Sequence, residues 1–179
     1  TPTLISNVMV GFGLGISAYR VQWSDATIVP NFSPLVPLLI ITFALLCAYF
    51  SGLVLNDAKD FTHDKKHRPN RPLPKGIISK KEAWIVGISL LASAVLISTF
   101  TEIRSAYLML LLSVCILNYT YFHRFLIPAL LFMGICRGLV YLVACSAFDV
   151  EMQPQVLLVF GLGIAWYTVV LTFIARNEE

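Results

Sequence analysis

Charge is what this chain has least of. Only 13% of its 179 residues are Asp, Glu, Lys or Arg, and ten acids against thirteen bases leave a net charge of +3. Soluble domains carry about 25% charged residues, so the usual water-facing shell is missing. So small a balance gives no ground for a nucleic-acid partner, which requires a dense basic surface. Cysteine is sparse too. Cys47, Cys115, Cys136 and Cys145 all lie inside apolar stretches, with no C-x-x-C pair among them. They are expected as buried free thiols that pack like small apolar side chains. Period-two alternation over short segments is also lacking, which excludes a transmembrane β-barrel.

What the sequence has instead is uninterrupted apolar blocks. Hydrophobic residues make up 58% of the chain, and the mean hydropathy is +0.78. Residues 38–55, 84–100 and 105–122 each run without a charge. Roughly 17–25 apolar residues cross a bilayer as a helix, and a helix satisfies its own backbone there. The expected fold class is all-α: a single polytopic transmembrane domain over 1–179. Six spans are expected, at about 4–19, 35–57, 83–100, 105–122, 125–147 and 154–175, with 58–82 as a loop. Gly11, Gly13 and Gly15 in the first span have no preceding strand, so they are read as a close helix-packing face rather than a nucleotide loop. The chain opens on Thr1 and closes on Arg176-Asn177-Glu178-Glu179; both ends are expected to be cut, and no secretory signal peptide is evident in these residues.

Eight of the thirteen basic residues fall within 58–82. Short loops rich in Lys and Arg stay on the cytoplasmic side, or its organelle equivalent. Six spans then put His123, Arg124 and Arg176 on that same face. Arg20, Asp25, Glu102, Arg104, Asp149 and Glu151, few and mixed in sign, fall on the other.

Chemistry concentrates where the second block ends. Asn56, Asp60 and Asp64 are spaced by four, so a continuing helix carries them along one face. They span about 12 Å at 1.5 Å per residue. Carboxylates stacked near a helix C-terminus repel each other and oppose the macrodipole. A divalent cation between them reverses both penalties. Mg²⁺ suits the position, because it takes one or two carboxylates and completes its shell with water and phosphate oxygens. Arg68, Arg71 and Lys75 follow, separated by Pro69, Pro72 and Pro74, which stop the helix and fold the chain back. Metal ions with Arg and Lys donors are the usual means of neutralising a departing diphosphate. Lys59, Lys65, Lys66, Lys80 and Lys81 are read mainly as topological anchors. His63 and His67 have zinc-like i,i+4 spacing, but Lys65 and Lys66 stand where a catalytic Glu would be needed.

The segment resembles the first aspartate-rich motif of the UbiA superfamily of intramembrane prenyltransferases, N-D-x-x-D-x-x-x-D followed by R-P-x-R-P-L-x-x-G. Asn56, Asp57, Asp60 and Asp64 match its first part; Arg68, Pro69, Arg71, Pro72, Leu73 and Gly76 match its second. The resemblance implies nine helices around a central cavity, of which six are visible here. It implies Asp60 and Asp64 as Mg²⁺ ligands, supported by Asn56 and Asp57. Arg68, Arg71 and Lys75 become candidates for diphosphate contact. The implied activity moves a prenyl group from an isoprenoid diphosphate to a lipophilic acceptor, by ionisation and capture of the carbocation. A second acidic motif of the form D-x-x-x-D is absent from 1–179, where Glu178 is the candidate for an altered start. That departure supports an alternative: a non-catalytic membrane subunit or assembly factor, with partner subunits in a quinone- or pigment-containing complex.

Other polar residues within the spans are read separately. Arg137 lies midway along the fifth, where an Arg costs about 2.5–3.5 kcal/mol on insertion scales and marks a functional position. It is expected either to reach a diphosphate oxygen or an acceptor carboxylate, or to pair with backbone carbonyls or a helix-end acid. Asn7, Asn118 and Tyr119 are expected chiefly to hydrogen-bond between helices. Trp84, Tyr121 and Trp166 are expected as interfacial aromatics.

Overall fold

The computed structural model describes residues 2–22, 35–148 and 157–177. They form six α-helices: α1 (Pro2–Gln22), α2 (Leu35–His67), α3 (Lys80–Ser98), α4 (Ile103–Phe122), α5 (Leu126–Cys145) and α6 (Gly163–Asn177). A π-helical turn, Leu157–Leu162, leads into α6. No strand occurs among the described residues. By length and composition α2 to α5 are able to cross a membrane, while α1 and α6 hold shorter apolar stretches. Asp25, Asp149, Glu151, Glu178 and Glu179 lie outside the described residues.

The protein is an all-helical integral membrane bundle. Its outward faces carry Leu39, Phe43 and Phe50 on α2 and Ile85 and Ile88 on α3, all exposed, as lipid-facing helices do. In lipid there is little hydrophobic drive between helices, so close packing and interhelical hydrogen bonds must hold them. Both are present. A Cβ on Gly11 would lie 2.7 Å from the Tyr141 carbonyl oxygen, and one on Gly15 2.7 Å from that of Cys145. Only glycine admits so close a backbone approach. These contacts set α1 parallel to α5 and bear out the packing role expected of Gly11 and Gly15; Gly13 faces open space. α5 is the central helix, touching α1, α4 and α6. Ser51 Oγ donates to the Gly87 carbonyl at 2.7 Å and ties α2 to α3. Ser105 Oγ donates to the Ser146 carbonyl at 2.7 Å and ties α4 to α5.

The segment expected as a loop over 58–82 is helical at both ends. α2 continues to His67, and α3 begins at Lys80 behind a capping box: Ser79 Oγ accepts from Glu82 N–H, and the Glu82 carboxylate accepts from Ser79 N–H. The charge pattern marked where lipid ends, not where the helix ends. Helix propensity does not fall at a membrane surface, and Ala58, Lys59, Lys65 and Lys66 continue a helix readily. Pro69 is the residue that stops it.

The irregular stretch 68–79 is short and held down. Lys75 N–H donates to the Arg71 carbonyl and Gly76 N–H to that of Leu73, each at 3.0 Å. Gly76 completes the turn with φ +77°, a left-handed conformation that suits glycine. Leu73 turns inward and packs with Ala58 of α2 and Ala83 of α3, flanked by Val54, Phe61 and Trp84. This anchor brings Arg71, two residues earlier, back over the acidic face of α2.

Candidate active site at the polar mouth of the bundle

Because α2 continues past the apolar block, Asn56, Asp57, Asp60 and Asp64 sit on its last three turns. Asp57 and Asp64 are seven residues apart, two turns, and share a face. Arg71 Nη1 lies between them, 3.1 Å from Asp57 Oδ1 and 2.7 Å from Asp64 Oδ2. Asp64 is buried, its side chain only 7% exposed. A carboxylate out of water requires such a charge-assisted partner. Asp60 faces α4 instead. His123 Nε2 lies 3.1 and 3.2 Å from its two oxygens, and Arg124 Nη2 donates to Oδ1 at 3.3 Å. Asn56 Oδ1 accepts from Thr120 Oγ1 at 2.9 Å.

The structure thus brings Asn56, Asp57, Asp60, Asp64 and Arg71 to one mouth, but it does not put Asp60 and Asp64 on a common partner. Asp57 and Asp64 converge on a single cationic nitrogen, and Asp60 is held apart by α4. No group of three or more His, Cys, Asp and Glu side chains is arranged for a metal among the described residues. Arg68 and Lys75 are exposed. His63 and His67 stack at 4.3 Å with an interplanar angle of 22°, and His67 Nδ1 faces the His63 carbonyl, so their rings do not converge as zinc ligands would.

His123, Arg124 and Thr120 are the members that sequence reasoning missed. The signal available was positional. His123 and Arg124 had been assigned to the same membrane face as the acidic turns, but which helix they would meet depends on the packing of α2 against α4.

Directly beneath Asn56 a cavity of about 340 Å³ opens between α1, α2, α4 and α5. Its walls are mainly apolar, with Leu45, Leu53, Leu112, Ile116 and Val140 among them. Small-molecule sites usually occupy about 300–1,000 Å³ and combine apolar walls with a few polar groups. Here those groups are Asn7, Asn56, Tyr119 and Arg137. Asn7 bonds between helices as expected, accepting from Tyr141 Oη at 2.8 Å. Asn118 does not; its amide donates to the Val114 carbonyl within α4. The four cysteines are free thiols, three buried and Cys136 partly so.

A charged rim thus stands over an apolar, helix-walled cavity. Residues 8–179 match the UbiA prenyltransferase family, and the chain belongs to that family. It is 44% identical over 61 residues to the digeranylgeranylglyceryl phosphate synthase of Thermococcus sibiricus, covering 34% of this chain and 21% of that protein. Over 149 residues it is 27% identical to the 4-hydroxybenzoate octaprenyltransferase of Blochmanniella pennsylvanica, covering 80% of this chain and 51% of that one. The chain therefore spans about half, or less, of the curated relatives it matches. Among solved structures, a UbiA homolog from Aeropyrum pernix K1 in its apo form superposes with a TM-score of 0.69 at 19% identity, over 94% of this chain and 60% of that one. A structure from work on digeranylgeranylglyceryl phosphate synthase in membranes gives 0.68 at 21% identity, over 92% and 56%. These two likenesses support the fold.

Proposed function

We propose that this protein transfers a prenyl group from an isoprenoid diphosphate to a lipophilic acceptor inside the membrane. The observation that carries the reading is the acidic face of α2, with Arg71 laid over it, at the entrance to an apolar cavity. The names of the curated relatives, one a digeranylgeranylglyceryl phosphate synthase and one an octaprenyltransferase, support it. In this reading the isoprenoid tail lies in the cavity and the diphosphate at the rim. The rim faces the cytoplasm or its organelle equivalent, as the basic residues of 58–82 imply.

The donor set fits Mg²⁺: three carboxylates and one amide, all hard oxygens. Asp60 and Asp64 are proposed as its ligands, with Asp57 and Asn56 in support. The convergence of Asp57 and Asp64 on Arg71 supports a cation-holding role for that face. When bound, the ion supplies Lewis-acid neutralisation of the leaving diphosphate. The chain's own groups do the rest. Arg71, withdrawn from its carboxylates, offers its guanidinium fork to the diphosphate, and Arg68 and Lys75 add exposed positive charge beside it. The apolar walls exclude water from the allylic cation, so that the acceptor captures it.

One observation favours the second reading, a non-catalytic membrane subunit. Asp57, Asp60 and Asp64 all have cationic partners within the chain, and a site already balanced in charge can persist without a metal. Diphosphate release from a set of isoprenoid diphosphates and acceptors, by the full-length protein in detergent, separates the two. Release that requires Mg²⁺, stops with chelator and disappears in the Asp60→Ala/Asp64→Ala double variant supports the enzyme. A parent protein silent with every diphosphate and acceptor supports the subunit.

A further inference from the structure

The end of α2 carries a second polar face besides the acidic one. Thr62, His63, Lys65, Lys66 and His67 line an open groove of about 500 Å³, closed on its other side by Arg124 of the α4–α5 turn. No Asp or Glu is among the residues that line it. The acids nearby are engaged elsewhere: Asp64 is buried against Arg71, and Asp60 is held by His123. Three cations therefore stand round a space that contains no counter-charge of its own.

Orientation in the membrane does not require this gathering. Basic residues act in the positive-inside rule by their number on one side, and spreading them through water lowers their mutual repulsion. Here the fold brings together two elements far apart in sequence. Lys65 and Lys66 make no ion pair among the described residues. Lys59, earlier on the same helix, is by contrast laid over the Tyr121 ring, 4.3 Å from its centroid. Arg124 gives Nη2 to Asp60 at 3.3 Å, and its side chain is 57% exposed. A guanidinium has five N–H donors, so one such bond leaves others to serve the groove. The stacked rings of His63 and His67, with His67 Nδ1 donating to the His63 carbonyl, form a fixed flank.

The surroundings decide what kind of anion fits. Arg124 sits among large apolar side chains that face outward: Tyr121 and Phe122 end α4, and Phe125 and Ile127 follow, all four exposed. Basic donors beside exposed aromatic and aliphatic groups, at the level where α2 leaves its apolar block, match an amphiphile with an anionic head. Basic pockets between transmembrane helices at the cytoplasmic face hold lipid headgroups in the same way. A soluble anion would use the cations and gain nothing from the apolar flank.

We propose that this groove binds the phosphate headgroup of an anionic phospholipid, with Lys65, Lys66 and Arg124 as its donors and the tails lying along Phe122 and Phe125. The site lies outside the apolar cavity and does not depend on the prenyl-transfer reading.

The test measures lipid binding to the full-length protein by native mass spectrometry from detergent. The probes are dioleoyl phosphatidylglycerol, dioleoyl phosphatidylcholine and phosphate-free dioleoylglycerol, with inorganic phosphate as competitor. Wild type is expected to bind the first phosphatidylglycerol at least about fivefold more tightly than phosphatidylcholine. Lys65→Gln/Lys66→Gln is expected to weaken phosphatidylglycerol roughly tenfold or more, the scale of two basic residues at an anionic surface, and to leave dioleoylglycerol unchanged. Lys65→Arg/Lys66→Arg should keep the preference, and Arg124→Gln, on the opposite wall, should lose part of it. Lys80→Gln/Lys81→Gln removes the same charge from exposed positions outside the groove. It should leave phosphatidylglycerol within about twofold. Equal losses in the two Gln doubles would mean that the preference follows net charge, and that overturns the site. Phosphatidylglycerol that binds no better than phosphatidylcholine overturns it as well. Displacement of phosphatidylglycerol by inorganic phosphate would mark a site for the free anion and overturn the lipid assignment.

Discussion

The two ends of the α4–α5 hairpin hold their polar groups in opposite ways. At the far end the polar groups that join the two helices are small, buried and neutral: Ser105 binds the Ser146 carbonyl and also lies 3.1 Å from the Ser146 hydroxyl. Ser98 and Thr99 there simply return their hydroxyls to carbonyls of their own helix. At the rim the polar groups are ionic, partly exposed, and paired across long stretches of chain, as Asp60 is with His123 and Arg124. Neutral serine pairs fix a geometry and have no reason to let go. Ion pairs at a wet boundary, such as those of Asp60, are worth little net, typically about 0–1 kcal/mol, so an incoming cation or phosphate can replace either partner there at small cost. One end is built to stay assembled, the other to exchange.

The sharpest way to break that contrast is to remove the exchanging groups. The Asp60→Ala/Asp64→Ala double variant is expected to lower diphosphate release by roughly 10²–10³-fold or more, the scale of losing preorganised charge stabilisation. Its thermal midpoint in detergent should move far less. Next comes the tether. Leu73→Ala should cost about 2 kcal/mol in local stability, at the low end for a buried leucine, read as faster hydrogen exchange over 68–79, and it should reduce activity by displacing Arg71. Gly15→Leu tests the static half, where a side chain would enter the Cys145 carbonyl and the Phe148 ring. It should destabilise the fold by about 1–3 kcal/mol and lower the melting temperature of the purified protein. The smallest effect belongs to Ser105→Ala, about 1 kcal/mol from one hydrogen bond, with turnover unchanged. If Ser105→Ala slowed turnover as much as Leu73→Ala, the division between a static and an exchanging end would be wrong.

Much of this was legible in the sequence, and the reasons are specific. The spans could be read because lipid enforces a length and an uninterrupted apolar run on each helix. The acidic face could be read because spacing by four is a local property of one helix. The end of α2 was harder. Lys and Arg mark where the membrane stops, and only Pro69 marks where the helix does. Which cation meets which carboxylate was beyond reach, since Asp60 is separated from its partners by some sixty residues and their meeting depends on how α4 lies against α2. The pairing of Arg71 with Asp57 and Asp64 depends in turn on Leu73, whose inward turn no periodicity announces.

Leu73 has one more consequence, and it concerns time. With the backbone beside it pinned between α2 and α3, Arg71 has no loop to carry when it leaves its carboxylates. It swings on its own side-chain bonds as its ion pairs break, and no slower movement of a whole segment is needed. Exchange of charge at the rim is thereby a side-chain event that does not wait on the backbone.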